Sequence, residues 1–239
     1  MDQEPGTNGV VVPFPVGRNG TRASRRIGMP ASEPVQSTLG PERRMSVVEI
    51  EIRGARSVEQ RLGHDEARAA VELAVDHIAS HLLSHGADEV ALEGSSSRPV
   101  LIASFGANDH ALRAVAAAVD ARDAARAACP AGSAAPSGHG HGRDHDGLDA
   151  AVGVHTGSVV DLAVGGITPM PFRAVGTLHT FAARLAADAG FGQILLSADT
   201  LGHVTGAASV HAEGSVVLNG HGERREAFCL LGLAPAAGD

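Results

Sequence analysis

Between Ala151 and Ser197 the chain reads AVGVHTGSVV, then a loop, then VGTLHTFAARL and GQILLS. The first segment predicts two strands, Ala151–His155 and Ser158–Leu162, joined by a tight turn at the Thr-Gly pair. Leu178, Phe181 and Leu185 recur at helical spacing, which predicts a helix over 174–189, and Gln193–Leu196 is a further strand. A helix with one apolar face between strands must bury that face on a sheet. This unit therefore commits the chain to a mixed α and β architecture.

The flanking segments extend the pattern. Val48, Ile50 and Ile52 alternate with Val47, Glu49 and Glu51, giving a strand that starts at Met45 with one apolar face. Ser57-Val-Glu-Gln60 has the form of a capping box, and Val58, Leu62, Val71, Val75, Ile78 and Leu82 predict one long helix closed at Gly86. Val90–Glu93 and Pro99–Phe105 form a hairpin across Gly94-Ser-Ser-Ser. A second helix follows Asn108 or Asp109, with Leu112, Val115 and Val119 inward and alanines on its surface. Ser209–Ala212, Ser215–Leu218 and Arg225–Leu231 read as C-terminal strands. The order is β-α-β-β-α-β, a ferredoxin-like α+β sheet with helices on one face and extra C-terminal strands. Residues 1–44 have the Pro, Gly, Ser and Arg content of a disordered tail, 45–233 form one domain, 130–147 are a His/Gly low-complexity loop inside it, and 234–239 fray.

Composition narrows the chemistry. All 19 basic residues are Arg, which excludes a P-loop lysine, a Schiff-base lysine and a kinase-type lysine. A net charge of −8 argues against nucleic-acid binding, and the absence of Trp and Tyr removes base-stacking platforms. Six Phe leave a core of Ala, Val, Leu and Ile, whose small side chains bury modest area each and favour support from a partner surface. Cys129 and Cys229 are far apart with no CxxC spacing, so neither a zinc motif nor a disulfide framework is legible. No apolar run is long enough to span a membrane and no signal-peptide pattern opens the sequence, which predicts a cytoplasmic protein.

Five pieces, in order, resemble class III adenylate/guanylate cyclase domains: DHALRAVAAAVDA (109–121), VGVHTGSVV (152–160), VGTLHTFAARL (175–185), GQILLSADT (192–200) and GHGERREAFCLLGL (220–233). Gly153, Gly157, Gly176 and Gly192 match the family's backbone-shaping positions. The resemblance implies the cyclase catalytic fold over 45–233 and head-to-tail dimers, with this chain pairing with itself or with another cyclase-like domain. An active member holds two Mg or Mn ions on two carboxylates and cyclises ATP or GTP.

The family's reagents are altered. The resemblance carries the first metal carboxylate to Glu51, in EIEIRGAR, where Glu replaces Asp; the alternative reading is a solvated strand residue beside Glu49. The second falls on Pro99, or on Arg98 or Val100 with a one-residue shift, and none of these is a ligand. Glu93 replaces it only with a rearranged hairpin. The base-reading lysine falls in Ser95–Ser97. Base and ribose contacts fall on Thr177 and Thr180, leaving Arg184 as the retained phosphate or transition-state contact; these three lie on one helix face. Outside this set, His139, His141 and His145, with Asp144 and Asp146, offer metal-capable groups on a flexible loop, an opportunistic site. His155 reads as structural, and His64 and Asp65 lie at a helix start without a nucleophile. Three readings stay open: a pseudoenzyme serving as a dimerising regulatory or interaction module with no cofactor, an active nucleotidyl cyclase with two metals, and a non-catalytic nucleotide or small-ligand sensor.

Overall fold

The computed structural model describes residues 38–129, 147–164, 170–173, 176–217 and 224–234. Most of the tail, the His/Gly loop with His139, His141 and His145, and residues 235–239 lie outside them.

The chain runs β1 (Thr38–Arg53), α1 (Ala55–Leu62), α2 (His64–Ser84), β2 (Glu89–Ser95), β3 (Arg98–Phe105), α3 (His110–Ala128), β4 (Asp149–Val164), β5 (Met170–Arg173), α4 (Gly176–Asp188), β6 (Ile194–Ser197), α5 (Ala198–His203), β7 (Ala208–Val217) and β8 (Arg224–Leu233). The sheet order is β2-β3-β1-β4-β6-β8-β7, with β5 paired to β4. The first four strands reproduce the split β-α-β arrangement, and β6, β8 and β7 extend it beyond β4. β6 joins β4 in parallel, through Val152↔Ile194 to Val154↔Leu196.

The alternation of β1 sorts the core. Val48, Ile50 and Ile52 face α1, α2 and α3 in one large cluster with Leu101, Ala103, Phe105, Val152 and Val154. Met45 and Val47 face the other way and pack with Leu178 and Ala182 of α4, while Phe181 and Leu185 pack with Ala151 and Leu195. Helices therefore cover both faces, not one: α1, α2 and α3 lie on one side and α4 on the other.

Local differences have physical causes. β1 begins at Thr38, ahead of Met45, because its pairing with β4 resumes beyond an irregularity between Leu39 and Glu42. The long helix is two: Gly63, at φ +96° and ψ 169°, takes an extended positive-φ conformation open to glycine that ends α1, and His64 opens α2. Ser57 lies inside α1 rather than capping it; Gly54 is the N-cap. On α3 the alanine face is the buried one, through Ala114, Ala117, Ala118, Ala121 and Ala125, whereas Leu112 is exposed. Small side chains let α3 lie close to the sheet and to α2. Ser209–Ala212 and Ser215–Val217 are one strand, β7, with an irregularity between Ala212 and Gly214, and Leu218 lies outside the described residues.

No turn interrupts 156–157; β4 continues straight through it, pairing Thr156 with Ser46 and Gly157 with Met45. The glycines serve helix packing instead. A Cβ at Gly157 would strike Leu178 Cδ2, and one at Gly153 would meet Ala182 O and stand 2.8 Å from Leu185 Cβ. Gly153→Ala is expected to cost about 3 kcal/mol, read by urea unfolding, because α4 must lift off β4. An unchanged midpoint would show that α4 is not held this closely.

Candidate functional site

Side chains at Val47, Glu49 and Glu51 point to the α4 face, as do Val100, Ile102 and Ser104 on β3 by the same alternation. Glu49 pairs with Gly153 on β4 and with Ile102 on β3. The close seating of α4 over Gly153 brings His179 against Glu49, Nε2 to Oε2 at 2.8 Å. Glu49 is buried at 6% exposure, yet its Oε2 accepts no aligned hydrogen bond despite that contact. Burial pushes its carboxyl above the ordinary range; His179 works against the shift, and Glu51 and Glu93 add to it. Ser104 Oγ is a second buried polar atom without a partner. A cavity of about 190 Å³ lies here, lined by Val47, Glu89, Ala91, Glu93, Ile102, Ser104 and His179.

Glu51 is not a solvated strand residue. Its Oε2 accepts from Arg53 Nε at 3.1 Å and Nη2 at 2.9 Å, and both side chains are largely buried, at 14% and 16% exposure. Arg53 also donates to Ala186 O at 2.9 Å and Ala189 O at 2.6 Å, carbonyls at the C-terminal end of α4 where a cation is favoured. The guanidinium thus ties β1 to α4 and neutralises Glu51 at once.

The other positions carried by the resemblance separate. Pro99 pairs with Gly94 and lines a groove against Val71 and Val75 of α2, on the opposite face from Glu51. The residue across from Glu51 is Val100, whose other neighbour is Glu93. Glu93 shares the cavity with His179 in the hairpin as it stands, so no rearrangement is needed to bring it to this face. Two strand spacings still separate Glu51 from Glu93, about 10 Å between Cα atoms. Ser95 and Ser97 are exposed at the hairpin tip, Oγ to Oγ 3.2 Å. Thr177, Thr180 and Arg184 are exposed while Leu178, Phe181 and Leu185 are buried, the expected single face; Arg184 Nε lies 3.5 Å from Asp188.

A two-metal clamp holds its ions about 3.5–4 Å apart between shared carboxylates. Glu51 is engaged by Arg53, Glu49 by His179, and Val100 supplies no donor between Glu51 and Glu93. The donor set does not fit such a clamp. The sequence missed Glu49, His179 and Arg53; the signal available was an acidic residue at an alternate strand position, which alternation marks as facing one side but not as buried.

His155 lies beyond this acidic face. Its Nδ1 is 2.9 Å from Ser197 Oγ and its ring packs on Phe181 at 4.4 Å. Ser197 caps α5 by accepting from Thr200 N, and Thr200 Oγ1 joins Thr156, which joins Ser46 and, through it, His110. This connected polar chain satisfies buried hydroxyls across the sheet.

No family model matches the chain and no curated protein matches it. Solved structures do. The guanylate cyclase domain of RhGC from Catenaria anguillulae, in complex with GTP, superposes with TM-score 0.56 at 17% identity over 82% of this chain and 100% of that one. The adenylyl cyclase CyaB from P. aeruginosa gives 0.59 at 15% over 83% and 98%. A non-canonical dimeric guanylyl cyclase domain of RhoGC from Blastocladiella emersonii gives 0.56 at 16% over 82% and 100%. The chain has the fold of a class III cyclase catalytic domain. Among its described residues, no helix is long and apolar enough to cross a membrane.

Two outcomes follow. Burial holds the His155 pKa down at about 4, against 6.5 when unfolded, with Arg225 lowering it and Asp199 opposing. The unfolded chain therefore binds a proton that the folded one refuses, and stability falls as pH drops through this window. The loss approaches on the order of 3 kcal/mol by pH 4. Urea titrations of the wild type and His155→Gln between pH 7 and 4 read it; identical slopes in the two would refute the assignment. Arg53→Ala leaves Glu51 buried without its cation and frees the end of α4, and it is expected to destabilise by about 3 kcal/mol in thermal unfolding.

Proposed function

We propose that this chain is a non-catalytic cyclase-homology domain that works as a dimerising regulatory or interaction module in cytoplasmic signalling. The observation that carries this reading is the Arg53–Glu51 pair. The carboxylate at the metal position is already neutralised by a guanidinium anchored to α4, and Val100 stands where a second ligand is required. Phosphoryl transfer depends on positioned charge, and at Glu51 this face offers an internal ion pair in place of an open ligand. Thr177 and Thr180 lack the groups that read a base and orient a ribose in the resembled domains, which leaves Arg184 as a vestigial phosphate contact. The exposed side of α4 and the open β2-β3 surface beside it are the natural place for a second cyclase-like domain, in a homodimer or a heterodimer.

A second reading rests on a different observation. Glu49 Oε2 and Ser104 Oγ are buried without aligned partners beside a cavity of about 190 Å³. Unpaired buried polar atoms are costly, and a small donor-rich ligand would satisfy both. The space is below the roughly 300–1,000 Å³ of sites for drug-sized ligands, so it suits part of a nucleotide or a smaller cation.

One experiment separates these readings. The purified chain is incubated with ATP or GTP and manganese, with cyclic nucleotide, heat of binding and light-scattering mass followed together. The expected result is a dimer without product. Product above background that disappears in Glu51→Ala would sink the non-catalytic reading, and binding without product, lost in Glu49→Gln, would favour the sensor.

A further inference from the structure

The far edge of the sheet, on the same α4 side but beyond β6, carries a second group of ligand-capable side chains. β7 is the edge strand beyond β8, and His211 stands directly across from Cys229. Pairing continues with Ala212↔Phe228 and then jumps to Gly214↔Ala227, so Glu213 is an extra residue without a partner on β8. This is a β-bulge, which bends the strand and re-aims the side chain it carries. Gly214, at φ +124°, supplies the backbone conformation next to it. The result brings Glu213 Oε2 to 3.0 Å from His211 Nε2. Imidazole nitrogen, carboxylate oxygen and Cys229 sulfur all lie within 4.8 Å of one another.

We propose that His211, Glu213 and Cys229 form a zinc site with an open fourth position, pinning the bulged edge of β7 to β8.

One imidazole, one carboxylate and one thiolate are the ligand types zinc accepts, and three protein ligands with water as the fourth is an established zinc arrangement. Ligands bound at about 2.0–2.3 Å in tetrahedral geometry stand roughly 3.3–3.8 Å apart. The present spread closes to that with rotation of His211 and Glu213, which are exposed and free to turn, toward a buried and fixed Cys229. Binding replaces the thiol proton, which leaves to solvent, with the metal; a dication with one thiolate and one carboxylate is then neutral. A surface His–Glu pair alone contributes little and requires neither the bulge nor the sulfur. Cysteine spacing could not show this site, because its three ligands come from two strands and only one is Cys.

Cobalt is the probe, because a sulfur-to-cobalt charge-transfer band in the near ultraviolet reports thiolate ligation. The full-length chain carries His139→Ala, His141→Ala and His145→Ala, which removes the His-rich loop from the measurement. The band is expected on titration with cobalt, unchanged by Cys129→Ser, abolished by Cys229→Ser, bleached by equimolar zinc, and weakened at least tenfold in apparent affinity by His211→Ala. Glu213→Gln, at an exposed position outside the core, is expected to weaken it similarly and guards against misfolding of the cysteine variant. No band up to millimolar cobalt, or a band indifferent to both His211→Ala and Glu213→Gln, overturns the proposal.

Discussion

The seating of α4 on β4 is the constraint on which the rest of the candidate site depends. It is possible only because Gly153 and Gly157 present no side chain to the helix, so that Ala182, Leu185 and Leu178 lie against bare backbone. Glu49 is the register partner of Gly153, and the helix that rests on the glycine therefore also roofs the carboxylate. From the same placement follow the contact of His179 with Glu49 and the reach of Arg53 to the last carbonyls of α4. The two small apolar clusters beneath α4 hold it from both ends. The polar contacts fix its rotation and its distance along β1.

The opposite face follows a different logic. There α2 and α3 are held through a run of alanines, with Phe105 the one buried aromatic in that cluster. Each alanine contributes little area, but the close approach it allows recovers dispersion contacts along the whole helix. A helix seated this closely tolerates little enlargement along its alanine face, because any added methylene must push α3 away from the sheet or from α2.

These two faces differ in how far the sequence discloses them. The strand order, the hairpin and the helix carrying Leu178, Phe181 and Leu185 are legible because alternation and helical spacing survive in apolar residues. The buried face of α3 is not, since alanine is apolar enough for a core and small enough for a surface, and hydropathy misassigns Leu112 as the inward residue. Gly157 misleads in another way: a glycine that admits a helix and a glycine that makes a turn look alike in one dimension. The Thr177, Thr180 and Arg184 face is legible from spacing alone, whereas Pro99 is misplaced. A one-residue count along a strand changes the face, and only the pairing of Glu51 with Val100 decides it. Arg53 is the least legible, because beyond the nearby Glu51 its partners are backbone carbonyls more than a hundred residues away.

That last residue is also the one on which the proposed non-catalytic reading rests. A strand that carries carboxylates into a partly buried face must have them neutralised, and in a metal-dependent site the ions do so. Here Arg53 pairs with Glu51 from within the chain and His179 lies against Glu49, and on the proposed reading these contacts stand in place of bound ions. On that reading the arrangement is also hard to convert into a metal site. A carboxylate introduced at Val100 would place a second ligand beside Glu51 without freeing the first, and removing Arg53 alone would release Glu51 while loosening the helix that shapes the face. Both changes, together with a new hold on the end of α4, are needed before two ions could be gripped.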